Sequence, residues 1–414
     1  MRKTALIFLT ILLFILTAKL SAASENPTAV DNNKFGIHVL NDSDLEDASK
    51  LVNSSGGDWG YITFVIREDE RDPARWQKVF DNARRLHLIP IVRLATKQDG
   101  GNWIKPDIED ITGWVNFLDT LNWVIKNRYI IIGNEPNHAN EWGGEVNPGD
   151  YGEYFINLSK RLKVSSPDYF VMISGLDASA PDNKLHVSEA KFLRNLILKH
   201  PNIFNYADGW VSHSYPNPNF SAPPTGSGQK SVKTYEWELS LLKQYGITKI
   251  LPVIISETGW AHKTESDNSY LDPEKLTDYY KTLFEIYQND PKVVVFTPFV
   301  LNYNLPPFDV FSWKKPDNSF FPFFDETQKI LKKAGHPIQI FEAEIIFEIF
   351  PELVKEDGKV YAVGIAKNTG QGIWEKDVPT EITLKGTNIK LEIKSPIFTD
   401  IEPGKIGIIL YRKL

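Results

Sequence analysis

Ile130-Ile131-Ile132-Gly133-Asn134-Glu135-Pro136 is a β-branched run that stops at a carboxylate and a proline, and Val253-Ile254-Ile255-Ser256-Glu257-Thr258-Gly259-Trp260 repeats the arrangement with glycine as the breaker. Such a run reads as a buried strand whose last residue is presented at the rim of a sheet. Two strands that end on a glutamate suggest a paired-carboxylate site, provided the fold brings both ends to one face.

The surrounding chain supplies such a fold. Strand-like runs at 35–39, 61–66, 89–94, 129–133, 170–174, 209–212, 253–256 and 293–299 alternate with helix-like stretches at 73–86, 108–126, 151–164, 188–200, 232–245 and 273–288. Asp72 before Pro73 is a helix start, with a capping carboxylate and a proline at the first turn. Eight strands alternating with helices over residues 33–335 predict an α/β protein built on a (β/α)8 TIM barrel. A doubly wound open sheet is the alternative, but no Gly-rich phosphate loop follows the first strand. The two glutamates close the fourth and seventh strands of the count. Catalytic side chains of a TIM barrel come from the C-terminal ends of different strands, so the pair is expected to meet across the barrel mouth.

Over residues 338–414 the texture turns to β alone. Ile389, Leu391 and Ile393 alternate with Lys390, Glu392 and Lys394, and further short runs at 360–365, 381–384 and 406–411 are separated by Asn-Thr-Gly, Lys-Gly-Thr-Asn and Glu-Pro-Gly turns. This predicts a small C-terminal antiparallel β-sandwich. Packing against the barrel is its expected role, with carbohydrate contact through Trp374 or Tyr361 as the alternative.

Residues 1–23 stand apart. Arg2 and Lys3 precede an apolar run from Ala5 to Leu16, and Ser21-Ala22-Ala23 offers a cleavage site. The pattern is a secretory signal, too short for the roughly 20 apolar residues of a membrane span, with an uncleaved anchor as the alternative. The chain has no cysteine, which excludes lipid attachment at a cleavage-site thiol and any disulfide. An extracellular or periplasmic product that relies on its core is expected, with no membrane insertion after cleavage. Cleavage would remove Arg2, Lys3 and Lys19 from 46 basic and 53 acidic residues, leaving 43 against 53, a net −10. An acidic export product lacks the clustered cations that nucleic acid or anionic membranes require, so neutral substrates fit better.

Two carboxyl groups facing one pocket are what cleavage of a glycosidic bond needs: one gives a proton to the leaving oxygen, and the other attacks or activates water. Asn134-Glu135-Pro136 after strand four, His213-Ser214-Tyr215 after strand six and Glu257 after strand seven resemble clan A of the glycoside hydrolases, retaining barrel enzymes that include cellulase-like and β-xylosidase-like families. The resemblance covers roughly 33–335. It implies Glu135 as acid/base, Glu257 as nucleophile, Asn134 as the group holding the sugar 2-hydroxyl, and His213 and Tyr215 as groups that orient substrate and hydrogen-bond the nucleophile. It also implies an arginine near the nucleophile. Arg93, inside the apolar strand Ile-Val-Arg-Leu, is favoured over Arg67, because an arginine there must be paired.

Sugar rings present apolar faces that stack on aromatics, so Trp103, Trp142, Trp260 and Trp313, in stretches after strands three, four, seven and eight, are candidate rim residues. The clan commonly carries a Trp at the end of strand eight. This chain reads Thr297-Pro298-Phe299-Val300-Leu301-Asn302-Tyr303 there, which leaves Trp313 or Tyr303 as the platform. His38, closing strand one, is a further substrate-facing candidate. Neither cofactor nor metal is expected: no His-x-His or HExxH occurs, and His38, His213 and His262 lack ligand spacing. No Gly-x-Ser-x-Gly elbow is present either. The expectation is a secreted, metal-independent retaining β-glycosidase acting on a carbohydrate partner. The alternative is a non-catalytic carbohydrate-binding or cell-wall scaffold protein.

Overall fold

The computed structural model describes residues 24–264, 267–356 and 359–414; the apolar segment read as a secretory signal lies outside the described residues. Eight parallel strands come first: β1 (Gly36–His38), β2 (Gly60–Arg67), β3 (Leu88–Ala95), β4 (Arg128–Ile132), β5 (Tyr169–Ile173), β6 (Trp210–Ser214), β7 (Val253–Thr258) and β8 (Val293–Phe296). β1 to β5 pair in sequence order as one sheet and β6 to β8 as another. Single parallel bridges, Met172 to Gly209 and Phe35 to Phe296, join the two sheets at both seams.

The strands read as uninterrupted apolar runs because both of their faces are covered. Ile130, Ile131 and Ile132 are all at most 1% exposed, and burying each contributes about 2–3 kcal/mol. A helix follows every strand: α1 (Leu45–Val52), α2 (Pro73–Arg85), α3 (Ile111–Thr120), α4 (Pro148–Ser165), α5 (Glu189–Lys199), α6 (Thr234–Gln244), α7 (Pro273–Asn289) and α8 (Pro322–Lys329). Asp72 accepts hydrogen bonds from the Ala74 and Arg75 amides ahead of α2, and Asn147 does so from Asp150 ahead of α4. Two eight-residue helices, α1 and α8, are shorter than the window of about 11–18 residues over which periodicity is read, so the sequence reading lacks them. The stretch predicted as a helix over 108–126 keeps only its middle. It opens with a single tight turn, and the chain leaves the helix at Leu121 so that Trp123 and Val124 can enter the core.

The C-terminal strands β9 (Glu342–Glu356), β10 (Lys359–Asn368), β11 (Thr380–Leu384), β12 (Lys390–Pro396) and β13 (Ile406–Lys413) form a closed barrel in the order β9-β10-β13-β12-β11 rather than the expected two-layer sandwich. Closure comes from β9. Two register shifts along its ladder with β10 accompany a start, Glu342 and Ala343, that pairs in parallel with Thr383 and Leu384 of β11. Its interior holds Ala343, Ala366, Trp374, Ile382, Leu391, Ile393 and Ile409. Trp374 and Tyr361 are buried and offer no sugar platform. Gln371 ties this barrel to the parallel-stranded region by donating to the Ile125 carbonyl, and Arg85 pairs with Glu402.

Candidate active site

Gly133 and Glu135 turn the chain at the end of β4, both with positive φ, +88° and +33°. The value at Glu135 is uncommon for a residue with a side chain and costs about 1–3 kcal/mol, strain of the kind kept at functional sites. The Glu135 amide is fixed by the Gly175 carbonyl at 3.1 Å. Gly175 is needed for a second reason: a Cβ there would lie 2.3 Å from the His213 ring.

One oxygen each from Glu135 and Glu257 and a ring nitrogen of His213 lie within 4.8 Å of one another. His213 and Glu257 are neighbours on the paired strands β6 and β7, just past a register shift. His213 Nδ1 is 2.7 Å from Glu135 Oε1 and 3.9 Å from Glu257 Oε2. The Arg93 guanidinium donates to Glu257 Oε1, and Tyr215 donates its hydroxyl to Oε2 at 3.1 Å. Arg67 stays outside, bonded to Asp69 at 2.9 Å.

The electrostatics separate the groups. Burial pushes the Glu257 carboxyl up, but His213, Arg93 and His38 outweigh it and bring it down to about 2. Burial lowers His213, yet the charges of Glu257 and Glu135 hold it above the ordinary histidine value. His38, fully buried and facing Arg93, is pushed down to about 3, so it carries its charge only in the acid range where Glu257 itself titrates. Burial and Glu257 raise Tyr215, so its proton stays in place to be donated. Among the described residues, Glu135, His213 and Glu257 are also the set whose atoms come close enough to hold a metal ion, but Arg93 already gives Glu257 a positive partner.

No protein-family model matches the sequence, and no curated protein matches it either. Among solved structures, the chain is similar to a GH128 subgroup II endo-β-1,3-glucanase from Pseudomonas viridiflava (11% identity, TM-score 0.45, 72% of this chain and 98% of that one). It is similar to a family 51 α-L-arabinofuranosidase from Bifidobacterium longum (9%, 0.48, 95% and 99%) and to a β-mannanase from Thermomonospora fusca (14%, 0.43, 75% and 97%). These neighbours are glycoside hydrolases. The likeness concerns the course of the chain, and the residue roles rest on the geometry above.

The rim aromatics need correction. Trp313 is fully buried between Tyr280 and Phe323, with ring centres at 4.4 and 5.0 Å, and cannot fold back as a platform. Trp260 is buried against Tyr279 and Tyr280 and donates to the Ala222 carbonyl. Trp142 is buried with its N–H on Asp150, although it borders a cavity of about 50 Å³ beside Asn134 that half-buried Trp103 also lines. All three indoles are buried, a use that the sequence does not distinguish from rim stacking.

The ring beside His38 at the end of β8 is Phe299, edge-on at 5.1 Å. Tyr303, half-buried, packs on Phe308 at 5.8 Å, and Phe308 in turn on Phe299 at 5.7 Å. Phe299 lies three residues past the end of β8 and reads from sequence as part of that strand. Its place near a strand end, like that of the two glutamates, was the available signal. Glu141 is a second residue that sequence reasoning missed. It accepts a hydrogen bond from Asn134 Nδ2 at 3.1 Å, while Asn134 Oδ1 accepts from Arg93 at 2.8 Å.

Proposed function

We propose that this chain is a secreted retaining β-glycosidase whose eight parallel strands act as a closed (β/α)8 barrel presenting Glu135 and Glu257 to one sugar-binding cleft. The observation that carries the reading is the approach of one oxygen of Glu135 and one of Glu257 to within 4.8 Å, which sets both carboxyl groups at one site. Retaining glycosidases hold the two groups about 5–5.5 Å apart, whereas inverting ones leave about 6.5–9.5 Å for a water. Glu257, held ionised by Arg93 and Tyr215, attacks the anomeric carbon as Glu135 gives its proton to the departing glycosidic oxygen. This leaves a glycosyl ester on Glu257. Glu135, now a carboxylate, takes a proton from water as that water attacks the same carbon, and the ester bond to Glu257 breaks. Asn134 holds the 2-hydroxyl through both steps, where contacts that tighten in the transition state contribute several kcal/mol.

A panel of aryl glycosides and of plant and microbial β-glycans, run with wild type and Glu257→Ala, tests this. Wild type is expected to cleave at least one substrate that the variant does not. Equal behaviour on every substrate would remove the enzyme reading.

A further inference from the structure

Glu141 ends a single tight turn (Ala139–Glu141) that brings the β4 loop back over the strand end. The turn is fixed in place: the Ala139 amide bonds to the Leu185 carbonyl at 2.8 Å, and the Gly144 amide to the Ala139 carbonyl at 2.8 Å. Its carboxylate is thereby set against Asn134, beside the small cavity bordered by Arg93, Thr96, Trp103 and Trp142. It is a third carboxyl group at a site that uses two. Neither proton transfer nor attack requires it.

Its contact explains its position. An arginine can only donate, so Arg93 fixes which end of the Asn134 amide faces it; a carboxyl oxygen in acceptor geometry fixes the other end. Asn134 is thus clamped at both ends of its amide plane, at 2.8 Å and 3.1 Å. A single hydrogen bond would leave the amide free to swing about that bond. Two bonds aim its remaining N–H in one direction, and displacements of about 1 Å at a reacting centre can cost about a hundredfold in rate. Burial and the neighbouring Glu135 push Glu141 up to about 7. Either protonation state keeps an acceptor oxygen for Asn134.

We infer that Glu141 is a positioning residue that aims the Asn134 amide at the substrate's 2-hydroxyl, so that the site's discrimination for a sugar bearing that hydroxyl depends on it. The inference rests on the glycosidase reading above. It separates reach from charge: Glu141→Gln keeps an acceptor at the same distance without charge, whereas Glu141→Asp keeps the charge but is one methylene too short.

The test uses the full chain, the 4-nitrophenyl β-glycoside cleaved fastest in the panel, and its 2-deoxy counterpart. Glu141→Asp is expected to lose about tenfold or more in kcat/KM on the 2-hydroxy substrate, mostly in kcat, and less than about threefold on the 2-deoxy one. Glu141→Gln is expected to stay within about threefold of wild type on both. Equal losses on the two substrates would show a merely structural role and overturn the inference. So would an active Asp variant beside an impaired Gln variant, or no change in either. Failure of the glycosidase reading shows separately, as Glu257→Ala matching wild type.

Discussion

Arg93→Met removes the guanidinium from Glu257 and Asn134 while keeping most of the side-chain volume. Glu257 is held at about 2 against an ordinary 4.5, and at about 1.4 kcal/mol for each tenfold change its ionisation is favoured by about 3 kcal/mol. Arg93 supplies this jointly with His213 and His38. With side chains only 13% and 12% exposed, Arg93 and Glu257 form a buried pair, and removing one partner of such a pair costs about 3–5 kcal/mol. Because the folded value lies below the unfolded one, the stabilisation is present above about 4.5 and lost as the pH falls toward about 2. Urea unfolding at pH 7, 5 and 3 should therefore show Arg93→Met less stable by about 2–4 kcal/mol at pH 7, the gap narrowing at pH 3. The acid limb of kcat/KM should move to higher pH, since the nucleophile then protonates more readily. A gap below about 0.5 kcal/mol at pH 7, or one that does not change with pH, would refute the reasoning.

Two other perturbations have definite signs. Tyr215→Phe deletes the hydroxyl that donates to Glu257 at 3.1 Å; loss of a hydrogen bond to a charged group costs about 1.5–3 kcal/mol, so the melting temperature should fall by a few degrees and kcat/KM by about 10- to 100-fold. Glu189 and Glu238 are fully buried side by side behind β6, where Trp210 donates to Glu238 at 2.6 Å. Burial raises both, Glu238 to about 7. The proton on Glu238 is fully stabilising below about 4.5 and is lost as the pH rises to about 7, and the proton on Glu189 acts in the same direction. Glu238→Gln should flatten the fall in stability measured by thermal unfolding between about pH 4 and 8, and an unaltered pH dependence would contradict the assignment.

The rhythm of the eight parallel strands was legible because strands covered on both faces need apolar residues at every position, which leaves runs such as Ile130-Ile131-Ile132. The strand-end glutamates stood out for the same reason, as charges at the end of a fully buried run. Arg93 could be favoured over Arg67 because an arginine inside such a strand requires a partner. The closed C-terminal barrel was hidden, since alternation identifies a strand but not the distant strand it joins, here Glu342 with Thr383. The indoles of Trp142, Trp260 and Trp313 misled because tryptophan serves equally at a rim and beneath a loop. Glu141 resembles any solvated loop acid until the turn over Ala139–Glu141 places it on Asn134.

The most direct test of the account is to trap the glycosyl-enzyme. Incubation with activated 2-deoxy-2-fluoro β-glycosides matching the substrate found in the panel should slow turnover of the ester. Intact-mass measurement should show one added glycosyl group, and peptide mapping should place it on Glu257. A label on Glu135 or on any other residue, or a first-formed sugar product of inverted anomeric configuration by NMR, would contradict the account.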